Sequence, residues 1–344
     1  MSDTLPQAFD GLTPDAVLDA LDAVGFRGDG RILQLNSYEN RVFQVMLEDG
    51  DAVVAKFYRP ARWTDAQIVE EHRFALELEA AEVPVVAPCA LVAGSPDVRL
   101  LPDNPPATLA VGPAPLRYAV APRRAGRAPE LEDDAVLHRL GGFIGRLHEV
   151  GARRAFTHRR TMKPADDARA AVALLLDGDF VPSDQTHVWS DACERAIELI
   201  DAAFARIRPQ SIRLHGDCHP GNLLWRDAGA HVVDLDDACM GPAVQDLWML
   251  LSGEPEAAAQ QLRQLLRGYA AFGRFDRREL ELIEPLRLLR MIRHNAWVAQ
   301  RWHDPAFPIA FPDFGSSAYW GQQVTQLREQ MRAAQDAPRW DDLL

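Results

Sequence analysis

Paired cysteine is the first thing this chain lacks. Its four cysteines, Cys89, Cys193, Cys218 and Cys239, are scattered with no C-x-x-C spacing, so neither a structural zinc site nor a disulfide framework is indicated and a reducing compartment fits. A basic surplus is missing as well. The net charge is −13, which argues against a surface that tracks a nucleic-acid backbone. No uninterrupted apolar stretch is long enough to cross a bilayer, and Met1-Ser2-Asp3-Thr4 opens without the positive region and apolar run of an export signal. Internal repeats and low-complexity tracts are also absent. These absences predict a cytoplasmic protein with no nucleic-acid or membrane partner; a monomer is expected, although the sequence itself is silent on oligomeric state.

What is present is ordinary in bulk and specific in one place. The 344 residues are 47 % hydrophobic and 25 % charged, enough for a full core and two domains. The specific stretch is Leu214-His215-Gly216-Asp217-Cys218-His219-Pro220-Gly221-Asn222, followed by His231-Val232-Val233-Asp234-Leu235-Asp236-Asp237. An Asp, an Asn five residues on, and a second Asp after a short apolar run match the spacing of the protein-kinase catalytic loop and its metal-binding Asp. Phosphoryl transfer needs a group near the incoming hydroxyl to accept its proton, a role open to Asp217. It also needs hard oxygen ligands for a magnesium ion on the phosphates, and Asn222 and Asp234 provide them. Two other readings compete. The loop could be a polar turn stabilised by side-chain-to-backbone bonds. Alternatively, His215, Asp217 and His219 with Asp234, Asp236 and Asp237 could form a two-metal hydrolase centre, which leaves the first hundred residues unexplained.

Those first hundred residues favour a kinase. A helix starts at Thr13-Pro14-Asp15 and ends at Gly25, with Val17, Leu18, Leu21 and Val24 along one side. Three β-type runs follow: Arg31 to Leu35, Val42 to Leu47 and Ala52 to Tyr58, the last two joined by the turn Glu48-Asp49-Gly50. The polar connection Asn36 to Arg41 has no glycine, so it is not G-x-G-x-x-G; Ser37 within it is a candidate donor to ATP phosphates. Lys56 is a lone interior cation in Val53-Val54-Ala55-Lys56-Phe57-Tyr58, like the V-A-I-K strand of kinases, and suits the α- and β-phosphates. The next helix, Thr64 to about Ala81, carries Glu70, Glu71, Glu77 and Glu79. Glu71 is the expected partner of Lys56, because Phe74, Leu76 and Leu78 mark the buried side, and Glu70 is its nearest competitor. Val83 to Pro88 reads as a proline-punctuated linker, and Ala90 to Val111 as hairpin-like. Leu116 to Pro122 reads as a buried strand whose backbone would meet the adenine edge.

Beyond residue 122 the pattern turns helical. Helices are expected from Leu131 to Glu149, within Asp166 to Leu176, from Trp189 to about Ile207, and over most of Glu254 to Gly273, Asp276 to His303 and Gly315 to Ala334. Asp246, at the start of a helix opened by Gly241-Pro242, suits support of the catalytic loop through its backbone amides. His138 and His148 read as packing histidines. The lobes are placed at residues 1–122 and 123–344.

The H-G-D-C-H-P-G-N loop, the V-D-L-D-D strand end and the G-P-A-V-Q-D-L-W-M-L helix resemble the aminoglycoside phosphotransferase-like kinases. Leu35 to Val42, Lys56-Phe57-Tyr58-Arg59-Pro60, Leu282 to Arg287 and Asp304 to Pro308 are similar to the stress-response serine/threonine protein kinases of bacteria within that family. The resemblance implies an α+β, two-lobed protein-kinase-like fold with a small β-rich N-lobe and a larger, mainly helical C-lobe. It also implies ATP and Mg2+ as cofactors, Asp217 and Asp234 as catalytic residues, and Asn222 and Asp234 as metal ligands. Ser37, Lys56 and Glu71 are then expected at the nucleotide. Its further implication is a stress role with transfer to protein Ser/Thr hydroxyls, including autophosphorylation. Asp234-Leu235-Asp236 stands where protein kinases have D-F-G, and no A-P-E follows, so activation-loop switching is not expected. A small-alcohol kinase, acting on a choline- or aminoglycoside-like molecule, and a weakly active nucleotide-binding regulator are the alternatives.

Overall fold

The computed structural model describes residues 9–102, 106–112, 116–226, 229–336 and 340. In chain order the elements begin with α1 (Pro14–Asp22), β1 (Gly28–Leu35), β2 (Arg41–Leu47), β3 (Ala52–Phe57), α2 (Asp65–Ala80), β4 (Arg99–Leu101), β5 (Leu109–Val111) and β6 (Arg117–Pro122). Next come α3 (Asp134–Gly151), α4 (Pro164–Asp177), α5 (Ser183–Ile207), β7 (Ile212–Leu214), β8 (Leu223–Arg226), β9 (Gly229–Val232) and β10 (Cys239–Gly241). The chain closes with α6 (Gln245–Trp248), α7 (Pro255–Tyr269), α8 (Ile283–Gln300), α9 (Ala306–Ala310) and α10 (Ser317–Asp336). The α+β class is as expected: a β-rich N-terminal part and a larger, mainly helical C-terminal part.

The described residues form two compact units, and the chain enters the first one three times. That unit takes the residues up to Pro129, then Phe156–Arg159, then Gly221–Ala238. The sequence reading placed one boundary at residue 122. The sheet runs β1-β2-β3-β6-β5-β4 with every neighbour antiparallel. Alternation along β2 and β3 buries Phe43, Val45, Leu47, Val53, Ala55 and Phe57 on one face, against Val17, Leu21 and Val24 of α1. Lys56, between two of these, points to the other face, where its cross-strand partner Ala119 packs with Ile68 and Val69 of α2. The start of α2 follows from its cap. Thr64 and Gln67 satisfy each other's backbone amides in a capping box.

Val83 to Pro88 is not a linker. Val83, Val85 and Ala87 are buried, and the segment pairs with β9: Val86 N donates to Val232 O at 2.9 Å and Val232 N to Pro84 O at 2.7 Å. The prolines leave enough donors for one such bridge, and apolar burial supplies the rest. Arg127 holds the other strand of the hairpin, exchanging backbone bonds of 3.1 and 2.7 Å with Trp225. The β8–β9 hairpin is therefore tied to N-terminal chain on both edges.

The second unit comprises Glu130–Ala155, Arg160–Pro220 and the described residues from Cys239 onward. Here α3 packs on α7, α4 on α5 and α8, and α10 on α5 and α8. The α3–α7 contact is backbone against backbone. A Cβ on Gly141 would overlap the carbonyl of Leu265, and one on Gly268 would overlap that of His138. Trp189 and Trp320, both fully buried, meet edge to face at 5.1 Å and join α5 to α10. α5 begins six residues before the expected start at Trp189, since Pro182 and Ser183 open it without a capping hydrogen bond. Residues 277–282 of the expected Asp276–His303 helix are a 3-10 turn. The short pair β7–β10, with Leu214 opposite Cys239, delivers the chain to His215.

Candidate active site

The loop after β7 is built on a buried carboxylate. Asp246, 1 % exposed, accepts from His215 N at 2.7 Å through Oδ2 and from Gly216 N at 2.8 Å through Oδ1. This is the supporting role expected for it. His148 of α3 donates from Nε2 to the same carboxylate at 3.1 Å, and its Nδ1 accepts from Tyr269 OH at 3.1 Å. Burial would raise the Asp246 pKa, but His148 and the Gly216 amide hold it below the usual carboxylate range. Gln245 donates to Gly216 O at 2.9 Å. Gly216 turns there with φ +86°, a left-handed geometry that favours glycine. His148 is thus part of the loop's foundation rather than only packing. Its signal was absent locally, because its partner lies 98 residues away.

Asp217 leaves this scaffold partly exposed. Arg290 of α8 donates from Nη1 to its Oδ1 at 2.9 Å, and His219 Nε2 lies 3.6 Å from its Oδ2. Cys218 beside it is buried, and burial pushes its thiol well above the ordinary range. A thiol that stays protonated is a poor target for oxidation.

The other sequence candidates gather in the first unit. Leu223 pairs with Val232 at the mouth of the β8–β9 hairpin, and Val233 N donates to Asn222 O at 3.0 Å. Asn222 and Asp234 therefore sit side by side at the hairpin's open end. Asp234 has φ 62°, ψ 65°, a left-handed backbone uncommon for residues other than glycine and concentrated at functional sites. Lys56 Nζ donates to Asp234 Oδ1 at 2.7 Å and to Asp236 Oδ1 at 2.8 Å. Burial would lower the Lys56 pKa, but Asp234 and Asp236 raise it well above the ordinary value, so the ammonium is fully charged. Ser37 accepts from Asn40 N at 3.3 Å and shapes the β1–β2 turn.

Asp236 was not expected at the centre of this cluster. Its Oδ2 accepts from Asn40 Nδ2 at 2.6 Å and Arg62 Nη1 at 3.0 Å, and Arg62 Nη2 reaches Asp237 Oδ1 at 2.9 Å. Burial opposes its ionisation, yet Lys56 and Arg62 hold its pKa well below the usual range. Arg159 fixes the turn from outside. Its guanidinium donates to the carbonyls of Asp236 and Ala238 and lies 4.1 Å from the centre of the Trp63 ring.

The expected Lys56–Glu71 pair does not form. Glu71 is buried, as its place on α2 required, but among the described residues no hydrogen bond or ion pair joins it to Lys56, and it acts there only through its field. Burial, opposed by Lys56, pushes its carboxyl up to about 7. Glu70 serves elsewhere, accepting from the amides of Thr157, His158 and Arg159 at 2.6, 2.7 and 2.7 Å. A helical pattern shows which face is buried, but not which carboxylate reaches across from a turn 180 residues later.

Among the described residues no group of three or more His, Cys, Asp or Glu could hold a metal. The two-metal hydrolase thus has no ligand cluster. Asp234 and Asn222 are the two candidate oxygen ligands, a number that would suit magnesium if nucleotide phosphates and water completed its shell.

An interior strand lysine meeting a carboxylate beyond a hairpin is the arrangement expected of a phosphotransferase of the protein-kinase-like class. The model of the phosphotransferase enzyme family, APH, matches residues 31–283, and the chain belongs to that family. It is 42 % identical over 332 residues to stress response kinase A of Escherichia coli K12, covering 96 % of each chain. It is 40 % identical over 330 residues to the serine/threonine protein kinase RdoA of Salmonella typhimurium, again over 96 % of each. The fold is similar to that of amicoumacin kinase hAmiN in complex with AMP-PNP, Ca2+ and Ami, with TM-score 0.70, 18 % identity and coverage of 96 % and 97 %. A choline/ethanolamine kinase family protein from Mesorhizobium loti matches at TM-score 0.59 and 17 % identity, also covering 96 % and 97 %.

Proposed function

We propose that this protein is an ATP- and Mg2+-dependent kinase that phosphorylates protein serine and threonine hydroxyls, itself included, in a stress response. The observation that carries the reading is the 2.7 Å contact between Lys56 and Asp234, which links the candidate phosphate-binding cation to the candidate metal ligand. In this reading Lys56 and Ser37 hold the ATP phosphates, while Asn222 and Asp234 hold the metal. Bound there, magnesium neutralises charge on the phosphoryl oxygens. Asp217 orients the acceptor hydroxyl and takes its proton. The acceptor oxygen bonds to the γ-phosphorus, the bond to the β–γ bridging oxygen breaks, and ADP leaves with that electron pair.

The protein acceptor is supported by the name of the Salmonella relative and by Arg290. A guanidinium bonded to Asp217 repels a cationic alcohol approaching the same carboxylate. The test is transfer of labelled phosphate from ATP to a generic protein substrate, to the enzyme itself, and to a panel of small alcohols including choline and aminoglycosides. Label on protein serine or threonine is expected. Label confined to a small alcohol would move the acceptor assignment, and ATP binding without transfer to anything would make the protein a nucleotide-binding regulator.

A further inference from the structure

Resting on the kinase reading, we propose that the carboxylate positioning Lys56 for the nucleotide phosphates is Asp236, and that α2 does not supply it. In protein kinases the strand lysine is held by a glutamate of the following helix. Here Lys56 divides its bonds between two aspartates of one turn, whose side chains differ sharply in exposure: 47 % for Asp234 and 5 % for Asp236. Asp234 is the group a metal can reach. Asp236 has both oxygens occupied, Oδ1 by Lys56 and Oδ2 by Asn40 and Arg62.

The braces on Asp236 are themselves fixed. Asn40 turns its Oδ1 to Arg59 N at 3.0 Å, so its amide group is oriented toward Asp236. Arg59 in turn donates to the carbonyls of Glu39 and Tyr38, each at 2.9 Å. The main chain of Asp236 is held by Arg159. A buried carboxylate facing two cations is costly to remove, since Lys56 and Arg62 would be left with one charge fewer between them. Glu71 has no comparable claim: no hydrogen bond or ion pair joins it to Lys56 among the described residues, and its 3.7 Å neighbour, His72 Nε2, belongs to a ring that burial keeps neutral. Asp236 is therefore a positioning residue. It sets where the ammonium stands, while Asp234, two residues earlier, stays available to the metal.

The experiment compares full-length wild type, Asp236→Asn and Glu71→Gln by calorimetric titration with ADP and with adenosine in chelator, alongside KM for ATP and kcat. A charge-assisted bond lost at the phosphates should weaken ADP about tenfold or more in Asp236→Asn, with adenosine changed by less than about twofold. KM for ATP should rise, Glu71→Gln should lose less ADP affinity than Asp236→Asn, and Asp236→Glu should recover part of it. Equal loss of ADP and adenosine in Asp236→Asn, unchanged ADP binding, or a larger ADP loss in Glu71→Gln would each overturn the assignment. If Asp236→Asn fails to fold by circular dichroism, Arg62→Gln and Asn40→Ala take its place. A selective ADP loss in them supports the proposal, and none overturns it. Wild type that binds no nucleotide would defeat the kinase reading itself, a result distinct from any of these.

Discussion

In the proposed mechanism Asp217 accepts the proton of the acceptor hydroxyl. Asp217→Ala should therefore lower transfer by about 10²–10⁴-fold while ATP affinity, read by calorimetry, stays close to wild type. Arg290→Gln removes the 2.9 Å bond that orients this carboxylate. We expect kcat to fall by about ten- to a hundredfold with KM for ATP little changed, in line with the cost of small misplacements. Which of these residues could be read from sequence follows from the distance over which each is specified. Asp217, Asn222 and Asp234 lie within eighteen residues, and their spacing alone made them candidates. Lys56 was visible from its strand. Asp236 was given a role only in the hydrolase alternative, although one clue was available: Lys56 and Lys163 are the chain's only lysines, with every other side-chain cation apart from histidine an arginine. A compact ammonium kept at one buried position implies a specific anionic partner, and the acidic run at 234–237 was one source of it.

At the level of elements, helix ends with side-chain caps were legible and long-range edges were not. Thr13 and Thr64 cap α1 and α2 as expected. Nothing local announced that Val83 to Pro88 would line the β8–β9 hairpin, because prolines disguise a strand that needs only one bridge. The α3–α7 contact yields a sharp expectation. Alanine at Gly141 would gain helix propensity but collide with the Leu265 carbonyl, so Gly141→Ala should destabilise the protein by about 1–3 kcal/mol, measured by urea or thermal unfolding. Asp246→Ala, which orphans the His215 and Gly216 amides and the buried His148, should cost about 3–5 kcal/mol and depress kcat together with stability.

For the whole molecule, buried carboxyls give a defined pH dependence. Glu279, which accepts from Val244 N at 3.0 Å, is pushed by burial up to about 7 from 4.5, as is Glu71. Groups protonated more readily in the folded state contribute stability at low pH that is lost as pH rises from about 4.5 through about 7. Asp246 and Glu70 are lowered from their ordinary values instead: burial opposes both shifts, and hydrogen bonds to the carboxylates outweigh it. Their stabilisation is lost as pH falls below about 4. Unfolding temperature measured against pH should therefore peak on the acid side of neutrality, and Glu279→Gln should flatten its alkaline limb.

The threefold entry of the chain into its first unit also bears on exchange of parts between related enzymes. A graft that takes the N-terminal residues as one contiguous cassette would leave Gly221–Ala238 behind, and with it the native mates of Val86 and Arg127. Chimeras that carry this hairpin along with the sheet should fold and bind nucleotide where simple head swaps fail, and recombination within the family is expected to keep the two segments co-inherited.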